Sequence, residues 1–216
     1  MVENMQVAKI RKKAILVELD NFGYLIDGTS YALNTVFGTY FINLTDLFSA
    51  RLGQYIKCSS YIEPANILKT YDSLLQKARA LRLEEGYDYV AFISKDYISH
   101  PLMPPQAEGL DWVDFVDSHV SPEYFCFVKF DASQWEFQIK WYNIDPIQAA
   151  IFHGGIWLLS HELNHMIAWD YNQTSHDYDY TAMLNYTYYD QRFNEISPTW
   201  SNPNWHLIGA RSPECW

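Results

Sequence analysis

Two histidines lie four residues apart, at His161 and His165, and a glutamate, Glu162, directly follows the first. On an α-helix, residues four apart share one face, so both imidazoles can bind the same ion. Zn²⁺ accepts imidazole nitrogen, and a catalytic zinc site has three protein ligands and a water molecule. A carboxylate beside the first ligand can take a proton from that water without binding the metal. The spacing therefore predicts a helix with a metal site on one face.

The sequence around the motif favours a buried helix. Apolar stretches lie directly before and after it, and Asp145-Pro146 is a helix-start signal with an N-cap aspartate and a proline at the first helical position. Gly154-Gly155 predicts a break in the helix or a close packing contact. His153 lies eight residues before His161, on roughly the same helical face, and we interpret it as a core histidine.

The third metal ligand has several candidates. Residues 172–175 are poor helix formers, which predicts that the helix ends near Tyr171. A chain that reverses there brings His176 back towards the metal. The alternatives are Asp170 at the end of the predicted helix, Glu195 in a later Asn-Glu pair, and Tyr171 as a distant ligand.

The motif His161-Glu162-Leu163-Asn164-His165, with Thr181-Ala182-Met183 downstream, resembles the zincin metallopeptidases and among them the metzincins. In that group the HExxH helix is followed by a glycine turn, a third His or Asp ligand and a turn that contains methionine. The resemblance implies zinc as the cofactor, with His176 as the third ligand.

The chain departs from the metzincin pattern in three places. Ala168 stands where the glycine belongs, and Tyr171 stands where the third ligand normally falls. His176 comes five residues later, so an inserted loop is required. The tyrosine after the methionine turn comes one residue late, at Tyr186. We therefore expect a metzincin-like zincin and not a member of a familiar family.

The leading functional hypothesis is a zinc-dependent peptidase that acts on a peptide or protein substrate. Glu162 would serve as the general base, and Tyr186 would stabilise the oxyanion, with Tyr189 as the second choice. Two alternatives stay open. One is a non-catalytic zincin-like module whose metal only stabilises the fold, and the other is a metallohydrolase of non-peptide substrates.

The fold implied by this resemblance is α+β and zincin-like. It has a mixed twisted sheet backed by helices, the HExxH helix packed beneath it, and a small irregular or helical C-terminal lobe. We expect one catalytic domain over residues 1–216. Its N-terminal subdomain would span about 1–171 and its C-terminal subdomain about 172–216, with the cleft between them.

Hydrophobic periodicity predicts the elements before the motif. They are a buried strand at 14–19, a helix at 29–52, a second helix opening at Glu63-Pro64 and ending at Gly86, and strands at 87–94, 124–130 and 135–141. The last strand alternates apolar with polar residues, so we expect it near a sheet edge. The resemblance to zincins implies that this edge pairs with extended substrate.

Charge and cysteine content indicate which binding partners and which cellular compartment to expect. Lys and Arg number 15 against 26 Asp and Glu, a net charge of −11, which argues against nucleic acid and anionic membranes as partners. Three cysteines leave at least one unpaired and favour a reducing environment, with Cys126 as a core residue. Neither a secretory signal nor an apolar run of eighteen residues is evident, so the expected location is cytoplasmic, with a trimmed mature domain as the alternative.

Overall fold

The computed structural model describes residues 11–52, 55–63, 67–98, 118–121, 123–160, 162–163 and 166. Its main sheet has five strands: β1 (Arg11–Glu18), β4 (Tyr55–Ile62), β5 (Tyr89–Ser94), β6 (Ser118–Ser121) and β7 (Phe125–Lys129). A separate hairpin contains β2 (Gly23–Ile26) and β3 (Thr29–Ala32), and the three longer helices are α1 (Leu33–Leu52), α2 (Tyr71–Glu84) and α3 (Ala132–Tyr142). No helix within these residues is long and apolar enough to cross a membrane.

The main sheet is mixed, with the order β4-β1-β5-β7-β6. The first four strands are parallel, and β6 is antiparallel to β7 at one edge. Residues 14–18 of β1 and all of β5 are buried, as expected when helices cover both faces of a parallel sheet. The predicted mixed sheet backed by helices is confirmed, as are buried strands near 14–19 and 87–94.

Alternate residues of each central strand enter two different cores. Ala14 and Leu16 of β1 point into the larger core, which α1, α3 and the segment before the HExxH motif complete. Ile15 and Val17 point into the smaller core, which α2 covers. Because side chains alternate along a strand, one strand sequence supplies both cores. The HExxH segment and α2 therefore lie on opposite faces of the sheet.

The β2–β3 hairpin replaces the first part of the helix predicted at 29–52. Asp27 and Gly28 both have positive φ, 48° and 80°, the combination that favours a two-residue hairpin turn. Residues 29–32 consequently pair with 23–26, and the helix begins only at Leu33. The turn residues were visible in the sequence, but the short strands beside them were not predicted.

Helix α2 starts later than predicted. The backbone amide of Glu63 donates to Glu18 O at 2.8 Å, so this residue still follows the sheet. The helix starts only after Thr70, whose side chain accepts a hydrogen bond from the amide of Ser73. The predicted end is confirmed to within two residues, because the helix ends at Glu84 and Gly86 has φ 72°.

The strand predicted at Trp135–Trp141 is wrong, since these residues belong to α3. Asp131 caps the helix, because its carboxylate accepts hydrogen bonds from the amides of Ser133 and Gln134 at 3.0 Å. The predicted substrate-binding edge at 135–141 is therefore wrong as well. Among the described strands, the antiparallel edge of the sheet is β6.

The segment that leads into the motif begins where the sequence predicted. Asp145 caps a short helical turn, α4 (Pro146–Gln148), by accepting from the amides of Ile147 and Gln148, with Pro146 at the first position. The chain continues as a wider π-helical turn over Ala149–His153. Gly155 then adopts φ 85°, so the predicted break at Gly154-Gly155 is confirmed.

Candidate functional site

The structure describes only part of the predicted metal site. Glu162 is helical and 4 % exposed. The predicted zinc ligands His161, His165 and His176 lie outside the described residues, as does Tyr186. So do Tyr189, the alternative ligands Asp170 and Glu195, and the methionine turn around Met183. The structure therefore shows where the predicted base lies but does not bring it together with the other site residues.

Apolar contacts hold the helical residues around the motif against the sheet. Leu159, Leu163 and Met166 are fully buried in the larger core, together with Ile156. Their spacing of four and three residues gives one continuous inward face. The predicted burial of this segment is confirmed for these residues.

The first turn of this segment has 3₁₀-type hydrogen bonding. The amides of Leu158, Leu159 and Ser160 each donate three residues back, to Gly155, Ile156 and Trp157, at 3.0 Å. Just before it, Gly154 O accepts from the amide of Asp131 at 3.0 Å, which ties the break to the start of α3. The break separates this segment from the preceding π-helical turn. A continuous helix therefore does not fix the rotation of the segment about its own axis.

Glu162 lies on the side of the segment that faces β7. Burial raises the pKa of Cys126 well above its ordinary value, and the negative charge of Glu162 raises it further. Cys126 is fully buried on the larger-core face of β7, which confirms its assignment as a core residue. The predicted base therefore lies near enough to β7 for its charge to act on the Cys126 thiol.

A pair of hydroxyl groups lies where α1 meets the start of the motif segment. Tyr40 and Ser160 are both buried, and the Ser160 Oγ donates to Trp157 O at 2.7 Å. Burial raises the pKa of Tyr40, and the adjacent Ser160 hydroxyl opposes that shift. These residues are 120 positions apart in the sequence, so spacing did not indicate the contact.

His153 is half-buried at the end of the π-helical turn, and burial lowers its pKa. The lowered pKa favours the neutral imidazole at neutral pH. Gly154-Gly155 interrupts the helix after His153. Regular helical spacing therefore cannot be used to predict that His153 shares a face with His161. Helical geometry therefore gives no reason to count His153 as an additional metal ligand.

A second polar cluster, which we did not predict, lies at the carboxyl ends of β1 and β5. The Lys69 Nζ lies 2.7 and 2.9 Å from the carboxylate oxygens of Asp20 and 2.6 Å from Asp96 Oδ2. Asp20 also accepts from the Lys95 amide at 2.7 Å and from the Ser94 hydroxyl at 3.3 Å. The sequence feature that could have indicated this cluster was the polar run directly after each buried strand.

Lys69 forms ion pairs with both carboxylates of this second cluster. Burial pushes the pKa of Asp20 upwards, but Lys69, the Lys95 amide and the Ser94 hydroxyl outweigh it and hold the pKa below the ordinary value. The chain crosses from one side of β1 to the other here, a position where many open α/β sheets bind ligands. In this structure the charges are arranged as an internal ion-pair network that joins three segments.

Among the described residues, no group of three or more His, Cys, Asp or Glu side chains is arranged to hold a metal ion. The predicted ligands lie outside those residues, so this finding does not bear on them. No protein-family model matches the chain, and no curated protein matches it significantly. The function proposed below is therefore based on the residues of this chain alone.

Proposed function

We propose that the chain is a zinc-dependent peptidase. The observation that carries the proposal is the buried carboxylate of Glu162 on a helical segment whose inward face is Leu159, Leu163 and Met166. At 100° per residue, helical positions 161 and 165 fall within about 40° of each other and on the side opposite that inward face. On such a helix both imidazoles of the motif would be directed away from the larger core.

The donor set fits zinc. His161, His165 and His176 would supply three imidazole nitrogens and leave a position for water, as in catalytic zinc sites. A bound zinc ion supplies Lewis-acid chemistry that lowers the pKa of that water and polarises the substrate carbonyl. Asp170 and Glu195 remain the alternatives for the third ligand.

The protein groups would carry the proton transfers. Glu162 accepts the proton of the attacking water and then delivers it to the departing amine nitrogen, so one carboxylate acts first as base and then as acid. Tyr186 would donate a hydrogen bond to the oxygen that gains negative charge during attack. Glu162 keeps its backbone position because Leu163 beside it is locked in the core.

Extended substrate would pair with β6. This strand pairs on one side with β7, and no second partner is found among the described strands. We propose that this edge of the described sheet accepts the backbone of a peptide by β-addition. In this proposal β6 takes the role that we had predicted for residues 135–141.

The test compares wild type with Glu162→Gln, and uses Glu136→Gln, an exposed glutamate on α3, as the matched control. Elemental analysis should find about one zinc per chain in all three proteins. Cleavage of denatured proteins should fall about 10²–10⁴-fold in Glu162→Gln alone, since glutamine cannot accept the proton. Equal cleavage by wild type and Glu162→Gln would remove Glu162 from the mechanism. Bound zinc without cleavage by any of the three would favour a structural module, and absence of zinc from native protein would overturn the metal assignment.

A further inference from the structure

The last turns of α3 carry three exposed aromatic side chains. Phe137, Trp141 and Tyr142 are 43 %, 75 % and 62 % exposed. The ring centroid of Phe137 lies 6.3 Å from that of Trp141 and 5.7 Å from that of Tyr142, so the rings form one contiguous cluster. Contiguous exposed apolar surface marks interaction sites, and Tyr, Trp and Phe are enriched where proteins bind one another. The cluster is therefore a candidate binding surface.

The packing of α3 directs Phe137 and Trp141 away from the core. At 100° per residue these two positions lie within about 40° of each other on the helix. Trp135 and Ile139, on the opposite side of α3, pack on the larger core. The indole of Trp135 also donates to Pro146 O at 2.9 Å, which fixes the rotation of the helix. The inner side of α3 therefore holds the two outer rings towards solvent.

Two opposite charges flank these rings. Glu136 and Lys140 form an ion pair one helical turn apart, and their side chains are 47 % and 41 % exposed. Both positions lie on the same flank of Phe137 and Trp141, with the negative residue nearer the amino end of α3. A second copy of the helix that runs antiparallel brings each glutamate opposite a lysine. The outer face of α3, which we define as Glu136, Phe137, Lys140 and Trp141, is therefore complementary to itself.

We propose that the outer face of α3 binds a second copy of this chain across a two-fold axis, with the two helices antiparallel. With the axis at the level of residues 138 and 139, Phe137 of one copy packs on Trp141 of the other, and Glu136 faces Lys140 in two symmetric ion pairs. The inference does not depend on the proposed zinc site, because none of these residues belongs to it.

The size of the contact indicates a reversible dimer. Aromatic side chains bury roughly 150–250 Å² each when they are fully covered. Four partly exposed rings therefore supply only part of the roughly 1,200 Å² at the lower end of stable, specific interfaces. The dimer consequently forms in proportion to protein concentration, and its dissociation constant can be measured in solution.

The first experiment is sedimentation velocity of the full chain over a range of concentrations. Wild type should shift from monomer to dimer, and Trp141→Ser should weaken the dimer at least tenfold, because tryptophan is a frequent anchor of interfaces. Leu83→Ser is the matched control, since Leu83 is 84 % exposed but lies on α2, which covers the other face of the sheet. It should leave the dissociation constant unchanged. A wild type that stays monomeric at every concentration overturns the inference, and so does equal weakening by the two variants.

The second experiment tests the antiparallel arrangement through the charges. Glu136→Lys and Lys140→Glu each place like charges opposite one another in their own dimers, so each should weaken association about three- to tenfold. Both side chains are exposed, so neither change disturbs the core. In an equimolar mixture, one copy of each variant restores opposite charges at both contacts, and the mixed dimer should be as tight as wild type. A mixture that associates no more tightly than either variant alone overturns the proposed arrangement.

Discussion

Asn34, on α1, donates its side-chain amide to the buried carboxylate of Glu18 at the end of β1. Its Oδ1 accepts from the amide of Phe22 at 2.7 Å, and its Nδ2 also lies 3.2 Å from Asp20 O. One side chain therefore joins the central strand, the chain that follows it and the first helix. Burial raises the pKa of Glu18 to about 7, and the Asn34 hydrogen bond opposes part of that shift.

The raised pKa of Glu18 predicts that stability falls as the pH rises. The folded protein binds the Glu18 proton more tightly than the unfolded chain does, so the stabilisation is complete below about pH 4.5 and is lost as the pH rises through about 7. Glu18→Gln should therefore be more stable than wild type at pH 8, by about 1–3 kcal/mol, and the advantage should shrink towards pH 5. Urea unfolding of both proteins from pH 5 to 8 measures the difference. An equal difference at every pH from 5 to 8 would show that Glu18 does not titrate in this range.

Lys69→Met tests the ion-pair network at the carboxyl ends of β1 and β5. The substitution leaves the Asp20 and Asp96 carboxylates without their shared ammonium, so we expect unfolding free energy to fall by about 1–3 kcal/mol at pH 7.

Because the pKa of Asp20 is lowered, its stabilisation is present above about pH 3.8 and is lost as the pH falls below that value. Lys140→Met, which removes an exposed pair on α3, is the control and should cost less. A loss that persists unchanged at pH 3 would contradict the electrostatic explanation.

Gly154→Ala tests the close contact between the motif segment and the end of β7. An added Cβ would lie 2.3 Å from Phe130 Cε2 and 2.6 Å from Ala150 O, distances that real structures do not tolerate. Unfolding free energy should fall by about 2–3 kcal/mol because backbone or ring must shift. Gly23→Ala is the control, since its nearest neighbour would be Asn21 Oδ1 at 3.4 Å, and it should change stability by less than about 0.5 kcal/mol. Equal effects of the two variants in urea unfolding would mean that the contact relaxes freely.

His176→Ala tests the third zinc ligand. Loss of a direct ligand should weaken zinc binding by more than the roughly 10–100-fold that removal of an outer-shell partner causes. Asp170→Ala and Glu195→Ala should each change zinc affinity less than about threefold in the same chelator competition. If Glu195→Ala is the variant that removes the metal, the site belongs to a different zincin arrangement, with glutamate as the third ligand.

The incorrect assignment of α3 has a specific physical cause. Trp135, Phe137, Ile139 and Trp141 alternate with polar residues, as in a strand with one wet face. The same four positions also form two pairs spaced four residues apart. In the structure Trp135 and Ile139 pack on the larger core, while Phe137 and Trp141 lie on the outer side, with Trp141 75 % exposed. The outward aromatic pair made the helical period look like alternation, and the N-cap at Asp131 was the signal that favoured a helix.

Features that depend on a few neighbouring residues were accessible from sequence. The continuous apolar runs of β1 and β5 indicate strands covered on both sides, Asp145-Pro146 indicates a helix start, and Gly154-Gly155 indicates a break. The HExxH spacing likewise indicates a metal-binding chemistry, because it concerns side chains within one helical turn. These inferences need no knowledge of how distant segments pack.

Only the tertiary structure decided which distant polar groups meet. Asn34 reaches Glu18, and Lys69 joins Asp20 to Asp96, both across separations that periodicity does not constrain. Hydrogen bonds and ion pairs depend on ångström-scale distance and angle after packing, whereas helix and strand patterns repeat along the chain and remain readable in one dimension.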